Sequence, residues 1–116
     1  MTAGSYNITI EQGATFRLQL TLTDGVEPTP LTGYTGRMQI RQKIMSTDVL
    51  YVLTTENGGL TITELEGKIA LYISDEDTAA FGFRNAVYDL ELEDGGSGEV
   101  VRVLQGSIYV SPEVTR

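Results

Sequence analysis

Four sets of side chains are the places where this 116-residue chain could do chemistry. Asp75, Glu76 and Asp77 are consecutive acids and would supply hard oxygen ligands to a cation. They also follow Ser74 and lead into Ala79 and Ala80. That is the order of a helix start, where acids suit the positive end of the helix dipole. No spacing matches an EF-hand loop, so the helix start is the better account. Asp89, Glu91 and Glu93 lie at every second position. On a strand this brings carboxylates to one face, at the roughly 5–9 Å separation that glycoside hydrolysis needs. Nothing in the surrounding sequence desolvates them, and cross-strand pairing with Arg37, Arg41 or Arg102 explains them without catalysis.

Arg37, Arg41 and Lys43 are the basic run, and Arg17 is a candidate to join it. A phosphate or nucleic-acid site needs more positive charge with aromatics between the cations. The run therefore reads as a salt-bridged strand face, with a second use as a docking face for an acidic partner. Six tyrosines and no tryptophan complete the set. Tyr51, Tyr72 and Tyr109 fall out of phase with the clearest core stripes. Exposed tyrosine offers large contact area with few rotatable bonds, which suits a protein or sugar interface. Pairing with threonine across strands is the plainer use.

Absences narrow the chemistry further. The chain has no histidine and no cysteine. That removes the commonest general base at neutral pH, the thiol nucleophile, thiolate metal sites and disulfides. Sixteen acidic residues against eight basic ones give a net charge of −8, with a pI near 4.3. Nucleic acid and anionic lipid want a basic footprint, so neither is an expected partner. No apolar run approaches the roughly 20 residues of a membrane span. Residues 1–10 lack the basic start and apolar stretch of a signal peptide. Synthesis in the cytoplasm, no cofactor and no enzymatic activity are the expectations.

The elements that must position these residues show a period of two. Phe16, Leu18, Leu20 and Leu22 alternate with Arg17, Gln19, Thr21 and Thr23, the pattern of a half-buried strand. Tyr6, Ile8 and Ile10 do the same. So do Met38 and Ile40, then Ile69, Leu71 and Ile73, then Tyr88, Leu90 and Leu92. Val100, Arg102, Leu104, Gly106, Ile108 and Val110 form one face of a long last strand, with a bulge or kink expected at Gly106. Gln12-Gly13, Asp24-Gly25, Asn57-Gly58-Gly59, Glu66-Gly67 and the glycine-rich 94–98 mark turns, the last two as hairpins. One short helical turn is expected near 75–81. About eight strands at such spacing predict an all-β fold, an antiparallel β-sandwich, with an open barrel as the second choice of closure. One domain would span 1–116, with a short extended tail at 112–116. A chain of this size buries about two-thirds of its surface, enough for a core of its own.

Five stretches in this order carry a resemblance: 13–22 (GATFRLQLTL), 31–41 (LTGYTGRMQIR), 67–74 (GKIALYIS), 87–92 (VYDLEL) and 106–116 (GSIYVSPEVTR). Together they resemble small tailed-bacteriophage and prophage proteins from among tail, baseplate and fibre genes. The chain is similar to the N-terminal immunoglobulin-like module of phage baseplate upper proteins. Those proteins continue into a fibre-like region, so this chain would be a separate subunit. The physics agrees at two points. Gly33 can supply the positive φ of a tight turn between Leu31 and Tyr34. Tyr88, on the core side of a late strand, wants a backbone partner for its hydroxyl, as in a tyrosine corner.

The resemblance implies a structural or adaptor protein of a tailed-phage virion, in the tail, baseplate, neck or fibre attachment. Its partners would be other virion proteins (tail, portal or neck, or fibre subunits), or further copies of itself in a ring. A host-surface glycan-binding module and a capsid decoration protein are the alternatives, and a small hydrolase using Asp89 with Glu91 or Glu93 is the weakest. Terminal segments are free to add to another sheet. The expected contacts are therefore Tyr6, Ile8 and Ile10 at the N-terminus and Val110, Pro112 and Val114 at the C-terminus, with the exposed tyrosines Tyr51, Tyr72 and Tyr109. Pairing of both termini within their own domain is the competing expectation.

Overall fold

The computed structural model describes residues 3–23 and 27–115, so the expected turn at Asp24-Gly25 lies outside the described residues. Nine strands and one short helix follow in order: β1 (Gly4–Ser5), β2 (Ile8–Glu11), β3 (Phe16–Thr21), β4 (Tyr34–Arg41), β5 (Tyr51–Thr54), β6 (Leu60–Thr63), β7 (Lys68–Ile73), α1 (Asp75–Ala79), β8 (Asn85–Asp94) and β9 (Val100–Ser111). One sheet runs β1–β9–β8–β4–β5, with β2 also on β9. The other runs β3–β7–β6. The fold is an all-β, immunoglobulin-like sandwich: one sheet carries the last two strands with β4 and β5, the other β3, β6 and β7. The N-terminal strands differ from the constant-type arrangement, because they pair parallel with β9 instead of extending the β3 sheet.

The alternating stripes become the core. Met38, Ile40, Ile69, Leu71, Ile73, Leu90 and Leu92 are all buried between the sheets. Phe16, Leu18 and Leu20 face the same core but are half-buried, because β3 is an edge strand of the smaller sheet. Gly33 has φ +81°, as the turn into β4 requires. The hairpin between β6 and β7 is looser than a tight turn, since a 3₁₀ turn at Glu64–Glu66 intervenes. The expected helical turn is α1, shorter than 75–81. The Ser74 hydroxyl accepts from the Asp77 N–H and caps it. Thr78, fully buried, ties α1 across the end of the sandwich: its hydroxyl accepts from the Gly13 N–H at 3.0 Å and donates to the Ala14 carbonyl at 2.8 Å.

The last strand departs from the expected alternation. Leu90 faces Leu104 while Glu91 faces Arg102, so Val103 is an extra residue. The bulge is therefore at Val103 and not at Gly106. It shifts the phase by one, and Arg102 no longer shares a face with Leu104. Val103 is buried and Arg102 is exposed.

Gly106 has another task. It lies opposite Tyr88, whose hydroxyl donates to the Tyr6 carbonyl at 2.6 Å on the far side of β9. The phenol thus spans β9 at the residue without a side chain. A Cβ there would lie 2.0 Å from the Tyr6 carbonyl oxygen. Tyr88 finds the backbone partner expected of it, but 82 residues away rather than within a local corner. Gly106→Ala should destabilise the fold by about 2–3 kcal/mol in denaturant titrations, because the Tyr6 backbone must retreat. Unchanged stability would show that the crossing is not tight.

Candidate interaction surface

The outward positions of β4, β8 and β9 build one polar face. With Tyr88, Leu90 and Leu92 in the core, the intervening Asp89, Glu91 and Glu93 must point out. Register then sets the pairs: Arg37 lies opposite Glu91 and Gln39 opposite Asp89, and Glu91 lies between Arg37 and Arg102. Arg37 bonds Glu91 at 3.0 Å and Glu93 at 3.2 Å, and Arg102 sits 3.5 Å from Asp89. Hydrogen bonds to Glu91, then Glu93, raise the Arg37 guanidinium above its ordinary value. The cross-strand pairing expected from sequence holds for Arg37 and Arg102.

Arg41 takes no part in that pairing. Its guanidinium donates to the Ser46 carbonyl at 2.7 Å and to the Gln39 side chain at 2.9 Å. Arg37, Gln39, Arg41, Asp89, Glu91 and Arg102 line a groove of about 520 Å³, which continues to Ile44 at one end and to Asn7 and Gln105 at the other. Arg17 does not join the run. It lies on β3 of the other sheet, 4.7 Å above the Tyr72 ring. Such a surface can bind ionic and hydrogen-bonding groups. Among the described residues no three His, Cys, Asp or Glu side chains are placed to hold a metal ion.

The contacts expected at the termini are largely internal. Ile8, Ile10 and Val110 are buried, because β2 zips along the end of β9, with Ile8 opposite Ile108 and Ile10 opposite Val110. They are core residues and not docking residues. Tyr51 is half-buried: its ring meets Phe81 edge to face at 5.2 Å and its hydroxyl donates to Asp77. That carboxylate, at the start of α1, is thereby engaged within the fold.

Tyr6, Tyr72 and Tyr109 are exposed, as are Pro112 and Val114. They do not converge. Tyr6 lines a second groove between β2 and β3, Tyr72 belongs to the smaller sheet, and Tyr109 lies at the far end of β9. Sequence reasoning missed Gln39, Gln105 and Ile44 as groove residues. The signal available was Ile44-Met45, an apolar pair outside every stripe.

Neither a scan against protein-family models nor a search of curated proteins finds a match to this chain.

Burial pushes the Tyr88 hydroxyl from 10.0 up to about 12. Burial, then the Asp77 hydrogen bond, does the same to Tyr51. For a phenol a raised value means that the fold favours the neutral form. That stability is intact below about pH 10 and lost as pH rises towards 12. Denaturant midpoints should be flat at neutral pH and fall in that window, less steeply in Tyr88→Phe. Arg37→Ala, breaking half-exposed pairs, should cost less than about 1 kcal/mol, with the difference shrinking as salt is raised.

Proposed function

We propose that this chain is a non-enzymatic structural or adaptor protein of a tailed-phage particle, acting by protein–protein assembly. The observation that supports this most is the outer face of β4, β8 and β9. It is a shallow ionic surface along rigid strands, bordered by the exposed apolar residues Ile44 and Met45. Such a mixture of preset polar groups and an apolar edge suits docking onto another folded surface. The carboxylates that a hydrolase would use, Asp89, Glu91 and Glu93, are instead engaged by arginines. The resemblance supports the same reading: its stretches at 31–41, 67–74 and 87–92 fall on β4, β7 and β8, the frame of the sandwich.

A glycan-binding module is the second reading. What favours it is the convergence of Asn7, Gln39, Asp89 and Gln105 on one groove. Sugar sites commonly add an aromatic platform, whereas Tyr51, Tyr72 and Tyr109 lie outside this groove.

Mass spectrometry of gradient-purified particles from the source phage or induced prophage tests the assembly reading. The protein should be present in stoichiometric amounts, at a copy number that is a multiple of a tail or portal ring. Copies on the scale of the capsid shell would make it a decoration protein. Absence from intact particles would overturn the virion reading, and a hit on a glycan array would then favour the second.

A further inference from the structure

We infer that the groove beside Arg41 and the turn at its end form a docking site for an acidic extended segment of a partner protein. A carboxylate of that segment seats on Arg41, and an adjacent apolar side chain packs against Ile44. The inference rests on the reading that this molecule works by protein docking, and it names the surface and the partner's chemistry.

The first observation is the turn. After β4 the chain closes a β-turn: the Ser46 N–H donates to the Lys43 carbonyl at 3.0 Å, and the Lys43 N–H to the Ser46 hydroxyl at 3.1 Å. The corner positions are Ile44 and Met45, 81% and 89% exposed. Turn corners ordinarily carry Gly, Pro, Asn, Asp or Ser. Two large apolar side chains held into water by an ordered turn gain nothing for the isolated fold. They become useful when something covers them.

The second observation is charge. The chain carries twice as many acidic as basic residues. Along this face Arg37, Arg41 and Arg102 stand against Asp89, Glu91 and Glu93, so the local charge is balanced where the chain as a whole is acidic. Arg37 and Arg102 already hold carboxylates of the same face. Arg41 bonds neutral oxygens instead, one of them the Ser46 carbonyl of the turn itself. A guanidinium has five N–H donors, and these two contacts leave others for a ligand. The Arg41 fork is thus oriented in advance, next to the apolar corner, without a carboxylate of its own. Arginine placed this way recognises carboxylates with two parallel hydrogen bonds. The cation disfavours a basic segment.

NMR titration of the ¹⁵N-labelled full chain tests this. The probes are a capped tetrapeptide of alternating leucine and aspartate, its leucine–lysine counterpart, and phosphatidylglycerol vesicles. The acidic peptide should shift the Arg41 Nε–H and the amides of Gln39, Ile44 and Met45, with a Kd of about 1 mM. Binding should weaken about tenfold in Arg41→Ala and markedly in Ile44→Ser, while Arg41→Lys retains part of it. Ile44→Ser leaves every hydrogen bond of the turn in place, so it separates lost binding from a disordered loop.

No shift, shifts confined to other faces, equal response to the lysine peptide, or an unaltered Arg41→Ala each overturns the inference. Binding to the vesicles alone overturns it in favour of lipid. Concentration-dependent shifts at the same residues without peptide overturn it in favour of self-association. A failed titration leaves assembly through another face standing, whereas absence from particles sinks the virion reading and leaves a positive titration intact.

Discussion

The docking of the N-terminal strands onto this sandwich depends on one hydrogen bond that spans a strand. Tyr88 reaches over β9 to the Tyr6 carbonyl, and it can do so because Gly106 presents no side chain in its path. Short parallel strands such as β1 and β2 gain little from their own ladder bonds. A buried phenol that donates to their backbone satisfies a polar group in the core and fixes where they lie. With β2 locked there, Ile8 and Ile10 join Ile108 and Val110 in the core. The turn after β2 then delivers Gly13 and Ala14 to Thr78, so the same anchoring continues to α1.

The bulge at Val103 links the core to the outer face. One inserted residue adds a hydrophobic side chain to the interior and turns Arg102 outward beside Asp89. Without it, strict alternation would place Arg102 on the face of Leu104, where an unpaired guanidinium is very costly to bury. The outer face is consequently laid out by backbone geometry: Glu91 stands between Arg37 and Arg102 because register puts it there. Pairs this exposed add little to stability. Their importance is as a fixed pattern of charge on rigid strands, which favours one partner orientation over others.

Arg41 and the Ile44-Met45 turn stand apart from that balanced pattern. The guanidinium supports the turn through the Ser46 carbonyl. An apolar corner and a cation are therefore held side by side. On a molecule of net charge −8, Arg41 is the arginine of this face that bonds neutral oxygens where Arg37 and Arg102 bond carboxylates.

The sequence by itself determined the class of fold and the faces of the strands. Alternation in 38–40, 69–73 and 88–92 marked the core because a pleated strand has a period of two, and Ser74 with its following acids marked α1 through cap chemistry. The outward carboxylates and their arginine neighbours were legible for the same reason. Tertiary structure decided what depends on partners distant in the chain. Whether Ile8, Ile10 and Val110 meet each other or another molecule is a question of strand pairing, which a period cannot answer. The place of the bulge was hidden because Val101 and Val103 fit either phase of an apolar strand, and Gly106 resembles a bulge glycine until the backbone of Tyr6 is seen against it. Arg17 parted from Arg37 and Arg41 because two sheets, not one, divide the strands. Local residues set propensity and face; register and sheet order, fixed by long-range packing, set which side chains share a surface.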